Sequence, residues 1–285
     1  KGLEIKDFIN QLILLKQKYE IISGDLLIAY LKGEEKKLPE NSCLLTFDDG
    51  YKDHFNYVLP ELIKKKITGC FFPVSAAVEE NKLLDVNSIQ FILEKSKNIN
   101  NLLIELEIEM IKAGIEKYQI NNLYNNINKD FKYDSKKIIL FKRILQRDLS
   151  INTRKSIIAK LFKKYVGKNE EEFSSNLYMS EENLKAIINE DMYIGNHSHN
   201  HFWLESIDKT LQEKEILKSI KFLLKIGANV NNWIMCYPYG SYNNDTITIL
   251  KKNNCIAGLA IKEGIATLSK KNNFELKRFD TNHFL

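Results

Sequence analysis

A chain of 285 residues, 44% hydrophobic and 28% charged, has the apolar content of an ordinary globular protein with one large α/β domain or two small ones. Its 42 basic and 37 acidic residues leave a formal charge of only +5, too mild to argue for a nucleic-acid partner. No stretch approaches the ~20 apolar residues that a membrane span needs, and no charged-then-apolar leader opens the chain.

Cys43, Cys70, Cys236 and Cys255 lie in or beside apolar segments without CxxC spacing. They read as buried free thiols, which favours a cytoplasmic setting. Lys1, with no initiator Met, leaves room for a removed N-terminal segment.

In chain order, Phe8, Leu12, Leu15 and Tyr19 recur at helical spacing, and Ser23-Gly24-Asp25 ends that helix and opens another over Leu26–Leu31. Cys43-Leu44-Leu45-Thr46-Phe47 reads as a buried strand that delivers Asp48-Asp49-Gly50 at its end. The helical pattern from about Phe55 to Lys65 contains Pro60, which predicts a kink or a late start. Gly69–Val74 is a second buried strand.

From about Val86 to Leu177 the alternation stops. Asn/Lys/Ile-rich helical segments replace it: Ser88–Lys97, Leu102–Lys112, Ile115–Asn128, Ser135–Asp148 and Thr153–Val166. Leu, Ile, Phe and Tyr recur often enough there for a helical core, so residues 86–176 are expected to form an insertion in a domain made of 1–85 and 177–285.

Alternation then resumes with helix Ser180–Asn189, strand Met192–Gly195, the segment His197-Ser198-His199-Asn200-His201 and helix Lys209–Ile226. Strand Trp233–Tyr237, a Pro-Tyr-Gly turn, helix Asp245–Asn253 and strand Ile256–Ala260 follow. Strand-helix order argues for a parallel sheet, closed or doubly wound, and polar residues at the carboxyl ends of strands suit a barrel.

Two polar segments carry the chemistry. Adjacent Asp48 and Asp49 put one acid on each side of a strand end, and the His-x-x-x-His spacing of His197 and His201 can turn two imidazoles toward one point. One Asp and two His make a three-ligand site for a divalent metal with a position left open for water, and the spare Asp is free to act as base. That combination predicts a hydrolase. An Asp-Asp-Gly triplet alone is more often a turn, whereas three of five histidines within five residues is a stronger signal.

Thr46-Phe47-Asp48-Asp49-Gly50, the His197–His201 segment after Gly195-Asn196, and Cys236-Tyr237-Pro238-Tyr239-Gly240-Ser241-Tyr242-Asn243 together resemble the polysaccharide deacetylase superfamily, carbohydrate esterase family 4. The resemblance covers roughly Leu3–Ser75 and Leu177–Asn282. It implies an α/β fold, a distorted (β/α) barrel of about seven strands, and metal-dependent removal of acetyl groups from amino-sugar glycans, with cell-surface polysaccharide as the setting.

Carried over by motif, the resemblance makes Asp48 the catalytic base and Asp49, His197 and His201 the ligands of one divalent ion, Zn²⁺ first and Co²⁺, Ni²⁺ or Mn²⁺ as alternatives. It also implies an oxyanion-binding N–H in the Tyr239 turn and a sugar groove lined by Tyr239 and Tyr242. His199, between the two ligands, is expected behind them or in the groove wall.

Two departures follow from the same resemblance. Many members carry Arg where this chain has Cys236, and the chain is similar instead to a Tyr-Pro-Tyr-Gly subgroup. Arg278, on a late strand, is then the candidate for orienting Asp48, against a plain reading as a strand-end surface charge. The family's Leu-x-His motif is also missing, so His283, two residues from the end, becomes the candidate general acid. His54 reads as a capping or packing residue.

The expected partner is an N-acetylated carbohydrate. The insertion is expected to serve as a lid or as a homo-oligomer interface. Two competing readings are a carbohydrate-binding pseudoenzyme and an O-acetyl esterase at the same site.

Overall fold

The computed structural model describes residues 3–125, 134–269 and 272–284; the end of the helix expected over Ile115–Asn128 lies outside them from residue 126. The chain divides into two units, Lys1–Lys82 with Ser174–Leu285, and Leu83–Phe173.

In the first unit, α1 (Ile5–Lys18) leads to β1 (Glu20–Ile21), and Ser23 caps α2 (Gly24–Lys32) by accepting from the Leu26 N–H. The expected strand over Cys43–Phe47 is broken at Leu44-Leu45 into β2 (Ser42–Cys43) and β3 (Thr46–Asp49). Helix α3 (Leu59–Lys65) begins with Pro60 in its first turn, preceded by one wide turn over His54–Val58. Pro60 has no N–H to donate, and the Leu59 N–H before it reaches back five residues to the His54 carbonyl.

Strand β4 (Cys70–Pro73) and the short helix α4 (Ser75–Glu79) follow. The helices α5 (Asp85–Ser96), α6 (Ile99–Lys112), α7 (Lys117–Asn125), α8 (Lys136–Arg143) and α9 (Ile151–Tyr165) belong to the second unit. The first unit resumes within α10 (Glu170–Leu177) and continues with α11 (Glu181–Asn189), β5 (Tyr193–Ile194), α12 (Lys209–Lys225) and β6 (Trp233–Cys236). It ends with α13 (Asn244–Lys252), β7 (Cys255–Glu263) and β8 (Leu276–Arg278).

All ladders are parallel: β1–β2, β3–β4–β5 and β6–β7–β8. A bridge between Asn196 and Met235 carries the order from β5 to β6, so β3 to β8 follow one another without interruption. The closed barrel implied by the sequence is not present: among the described residues no backbone ladder joins β8 to β3. Strand β8 has only three residues, and its register against β7 shifts between Leu259 and Glu263, so it offers few backbone groups for a second neighbour. A side chain spans the gap instead, because Arg278 on β8 donates to Thr46 and Asp48 on β3.

The strand alternation sorts the core. Cys70, Phe72, Tyr193, Ile234, Cys236, Ala257, Leu259 and Leu276 pack on one face of the sheet with Ile22, Leu27 and Ile28. Phe71 and Ile194 face the other way, against Leu59, Leu62, Leu184, Ile187 and Phe222. Trp233, Met235 and Tyr237 likewise meet Ile216, Ile249 and Leu250. Gly195 is required between β5 and β6, since an added Cβ would lie 2.4 Å from the Phe72 ring and 2.8 Å from the Ile234 carbonyl oxygen.

The second unit is helical among its described residues. Ile89 and Ile92 of α5, Leu102, Leu106 and Met110 of α6, Phe141 of α8 and Ile157, Leu161 and Phe162 of α9 are buried. Arg154 is buried with them, its Nε 3.4 Å from Asp85 and its Nη1 donating to the Gln146 carbonyl at 2.7 Å. A cation at that depth requires such partners.

The four cysteines are free; three are buried, and Cys43 is half-buried rather than buried as expected. Among the described residues no helix is long and apolar enough to cross a membrane.

Candidate active site

Asp48 and Asp49 end β3, registered against Phe72 and Pro73 of β4. The chain then leaves the strand through Asp49 at φ 70° and Gly50 at φ 79°, a left-handed pair that Asp tolerates and Gly favours. A Cβ on Gly50 would stand 3.0 Å from Pro73. On the next strand but one, the chain past β5 bends through Ser198 at φ 59° and His201 at φ 57°, and past β6 through Tyr239 at φ 57°. Left-handed non-glycine residues are uncommon, and their gathering at three neighbouring strand ends marks a place where geometry outweighs local ease.

These bends bring Asp49, His197 and His201 together. His197 Nε2 is 3.3 Å and His201 Nε2 3.2 Å from Asp49 Oδ1, and the two imidazole nitrogens are 3.2 Å apart. His197 Nδ1 is 2.6 Å from the Cys236 carbonyl oxygen. That oxygen can only accept, so Nδ1 carries the hydrogen and Nε2 of the neutral ring presents a lone pair. With both rings neutral, as metal ligation requires, a single ring hydrogen on His201 Nε2 can serve only one neighbour, and His197 Nε2 and the Asp49 carboxylate stand opposed as acceptors.

A shared cation resolves the opposition. Donors ~2.0–2.1 Å from one zinc ion at tetrahedral angles stand about 3.3 Å apart, which matches the triangle found here. His201 Nδ1 is buried without a hydrogen-bond partner, so this ring too is held by what its Nε2 faces. Two imidazoles and one carboxylate fit a divalent ion and leave a fourth position for water or substrate. Burial works against charge on Asp49, yet the His197 and His201 rings beside it hold its carboxyl well below the usual carboxylate range.

Asp48 points elsewhere. Arg278 Nη1 donates to both of its oxygens, at 3.0 and 2.9 Å, and to Thr46 Oγ1 at 3.2 Å, while Arg278 Nε donates to the Ala260 carbonyl at 3.2 Å. The carboxylate is thereby fixed beside the triangle without joining it. Asp48, His197 and Cys236 form a second group of ligand-type atoms. Burial, with Asp48 adding to it, pushes the Cys236 thiol up, so sulfur remains protonated there and is a poor ligand.

A sequence profile described as polysaccharide deacetylase matches residues 35–116 and 157–257, more than half of the chain. The chain belongs to the polysaccharide deacetylase family. Among solved structures this family member is similar to the deacetylase PplD of Streptococcus pyogenes in complex with acetate, at 18% identity and a TM-score of 0.58 over 96% of this chain and 79% of that one. IcaB from Ammonifex degensii gives 16% and 0.53 over 92% and 77%, and a de-N-acetylase from Aggregatibacter actinomycetemcomitans 15% and 0.51 over 92% and 78%. At these identities the likeness shows the fold, a mixed α/β architecture shared with deacetylases. Comparison with curated proteins gives no match.

Around the polar centre of this deacetylase-family protein, Tyr239 sets its ring 4.6 Å from that of His201 and stacks on Trp203 at 4.8 Å and 15°. Tyr242 turns to the core, stacked on Tyr237 at 4.5 Å, with its hydroxyl on Glu275. His283 is exposed and engages Glu263 at 2.9 Å and the Asp280 carbonyl at 3.0 Å; neither partner belongs to the centre. His54 packs, with its ring against Phe47, Tyr51 and Phe71, and does not cap.

Trp203 and the backbone carbonyl of Cys236 escaped sequence reasoning. The aromatic pair Phe202-Trp203 directly after His201 is a signal for the first; a backbone carbonyl leaves none.

Proposed function

We propose that the protein is a metal-dependent carbohydrate deacetylase that removes N-acetyl groups from an amino-sugar glycan or sugar precursor, with Asp49, His197 and His201 holding the ion and Asp48 as base. The observation that carries this reading is the separation of the two neighbouring carboxylates: Asp49 faces two imidazoles, Asp48 faces Arg278. Zn²⁺ is the first candidate, with Co²⁺, Ni²⁺ and Mn²⁺ suited to the same donors. A divalent ion held by these three residues would supply Lewis-acid polarisation of the acyl carbonyl and bring the pKa of a water down toward roughly 7.

The chain's own groups supply the rest. Asp48, aimed by Arg278, takes the proton of the attacking water. His283 is engaged with Glu263 and Asp280, so in this reading Asp48 returns that proton to the leaving amine. The Tyr239 turn offers backbone N–H to the oxyanion, and the Trp203–Tyr239 pair offers a flat apolar wall to a sugar ring. Within the family, Tyr237-Pro238-Tyr239-Gly240 is what supports reading the chain as a Tyr-Pro-Tyr-Gly member. The pseudoenzyme reading drew on the missing Arg at position 236 and on the missing Leu-x-His motif; the Arg278–Asp48 pair answers the first motive and leaves the second.

Acetate release tests the reading. Wild-type protein loaded with Zn²⁺ or Co²⁺ should free acetate from at least one N-acetylated oligosaccharide and lose that activity on chelation. Release from an acetyl ester alone would instead favour the O-acetyl esterase, and release from neither would contradict a hydrolase.

A further inference from the structure

The loop that carries both imidazole ligands is held from behind by a set of groups with no part in the chemistry above. Ser198 N–H donates to Asn196 Oδ1 at 2.8 Å, and His201 N–H to Ser198 Oγ at 3.2 Å, both within the loop. From the start of α4, Ser75 and Ala76 donate their N–H groups to the Ser198 and His199 carbonyls at 3.3 and 3.0 Å. His199 is buried, with Nδ1 2.8 Å from Ser75 Oγ and Nε2 3.0 Å from Glu80 and 3.2 Å from Lys218. Ser75 is fully buried, which rules it out as a nucleophile despite its Ser-His-Glu company.

The strongest tether comes from α12. Glu215, only 2% exposed, accepts from the Asn200 N–H at 2.6 Å and from Asn200 Nδ2 at 2.7 Å. Lys82 donates to the Asn200 side-chain oxygen. Asn200 is the residue between buried His199 and His201, and His201 must adopt a left-handed conformation to turn its ring toward His197. A carboxylate buried in the helix row and spent on both donors of one loop residue fixes the backbone where that turn begins.

We propose that Glu215 is a positioning residue for the metal centre: by holding Asn200 it locks the left-handed turn at His201 and so sets the spacing of the two imidazole ligands. This rests on the metal-binding reading of Asp49, His197 and His201. Groups that orient ligands from behind are typically worth about 10- to 100-fold in metal affinity.

The test uses Co²⁺ as the probe on metal-free full-length protein, reading its dissociation constant and its visible ligand-field spectrum. Glu215→Gln keeps shape but sets an amide N–H₂ against the Asn200 donors. It should weaken Co²⁺ about 10-fold or more and alter the spectrum. Asn200→Ala, at a half-buried loop position outside the helix core, removes the side-chain bond from the opposite partner and should shift both readouts in the same direction by less.

Ser219→Ala, on the same helix and buried without a hydrogen-bond partner of its own, should leave affinity and spectrum unchanged. Wild-type affinity and spectrum in Glu215→Gln overturn the inference and leave the metal centre standing; should that variant not fold, the same outcome in Asn200→Ala does so. Failure of wild type to bind Co²⁺ overturns both.

Discussion

Asp48 and Asp49 share a strand end, a sequence context and a charge, yet the alternation of a strand turns them to different partners. Asp49 has imidazoles on two sides and Asp48 a guanidinium. Arg278 uses Nη1 on Asp48 and Nε on Ala260 at the same time, a two-point hold that a lysine ammonium does not reproduce. Arg278→Lys should therefore lower kcat by about 10- to 100-fold while metal content stays at wild-type level, measured by steady-state acetate release alongside elemental analysis.

A second residue-scale prediction concerns pH. Burial pushes the His54 imidazole down to about 4, against the pull of Asp49, Asp48 and Asp53. An unfolded histidine titrates near 6.5, so between about 6.5 and 4 the unfolded chain binds the extra proton and stability falls as pH falls. His54→Phe should flatten the dependence of Tm on pH across that window, and an unchanged slope would show that the ring is not held neutral.

At the scale of elements, the parts that sequence disclosed are those set by periodicity and by breakers. The helices of the insertion, the strands 70–73 and 233–236, and the wide turn ahead of Pro60 all follow from local pattern. The two-residue strands β1 and β2 and the break at Leu44-Leu45 do not, because pieces that short carry no period of their own. Closure was misjudged for a related reason: whether β8 pairs with β3 depends on register over three residues, and the link that forms is a side chain.

Within the three motifs, residue type and spacing disclosed that Asp49, His197 and His201 would meet, but not that Tyr242 would turn to the core. The groups that hold them were less legible: Arg278 lies more than two hundred residues from Asp48, and Glu215 matches no pattern. Gly195 offers a check on how tightly β5 and β6 approach. Gly195→Ala forces a methyl against Phe72 and the Ile234 carbonyl, and should cost about 1–3 kcal/mol of overpacking strain, seen as a Tm fall of several degrees.

Across the whole molecule, a site assembled from three strand ends ties metal affinity to folding. Asp49 comes from β3, His197 and His201 from the loop after β5, and the carbonyl that orients His197 from β6. The unfolded chain has no such constellation, so a metal at 100 times its dissociation constant should add about 2.7 kcal/mol of stability. A chelator should accordingly lower Tm by about 5–10 °C, and the shift should vanish in His197→Ala.

One measurement addresses the division of labour most directly: metal stoichiometry and acetate release determined together on wild type, Asp48→Asn and His197→Ala. A metal-dependent deacetylase with Asp48 as base gives about one ion per chain and turnover in wild type, an ion without turnover in Asp48→Asn, and neither in His197→Ala. Full turnover in Asp48→Asn, or in wild type stripped of metal, would contradict it.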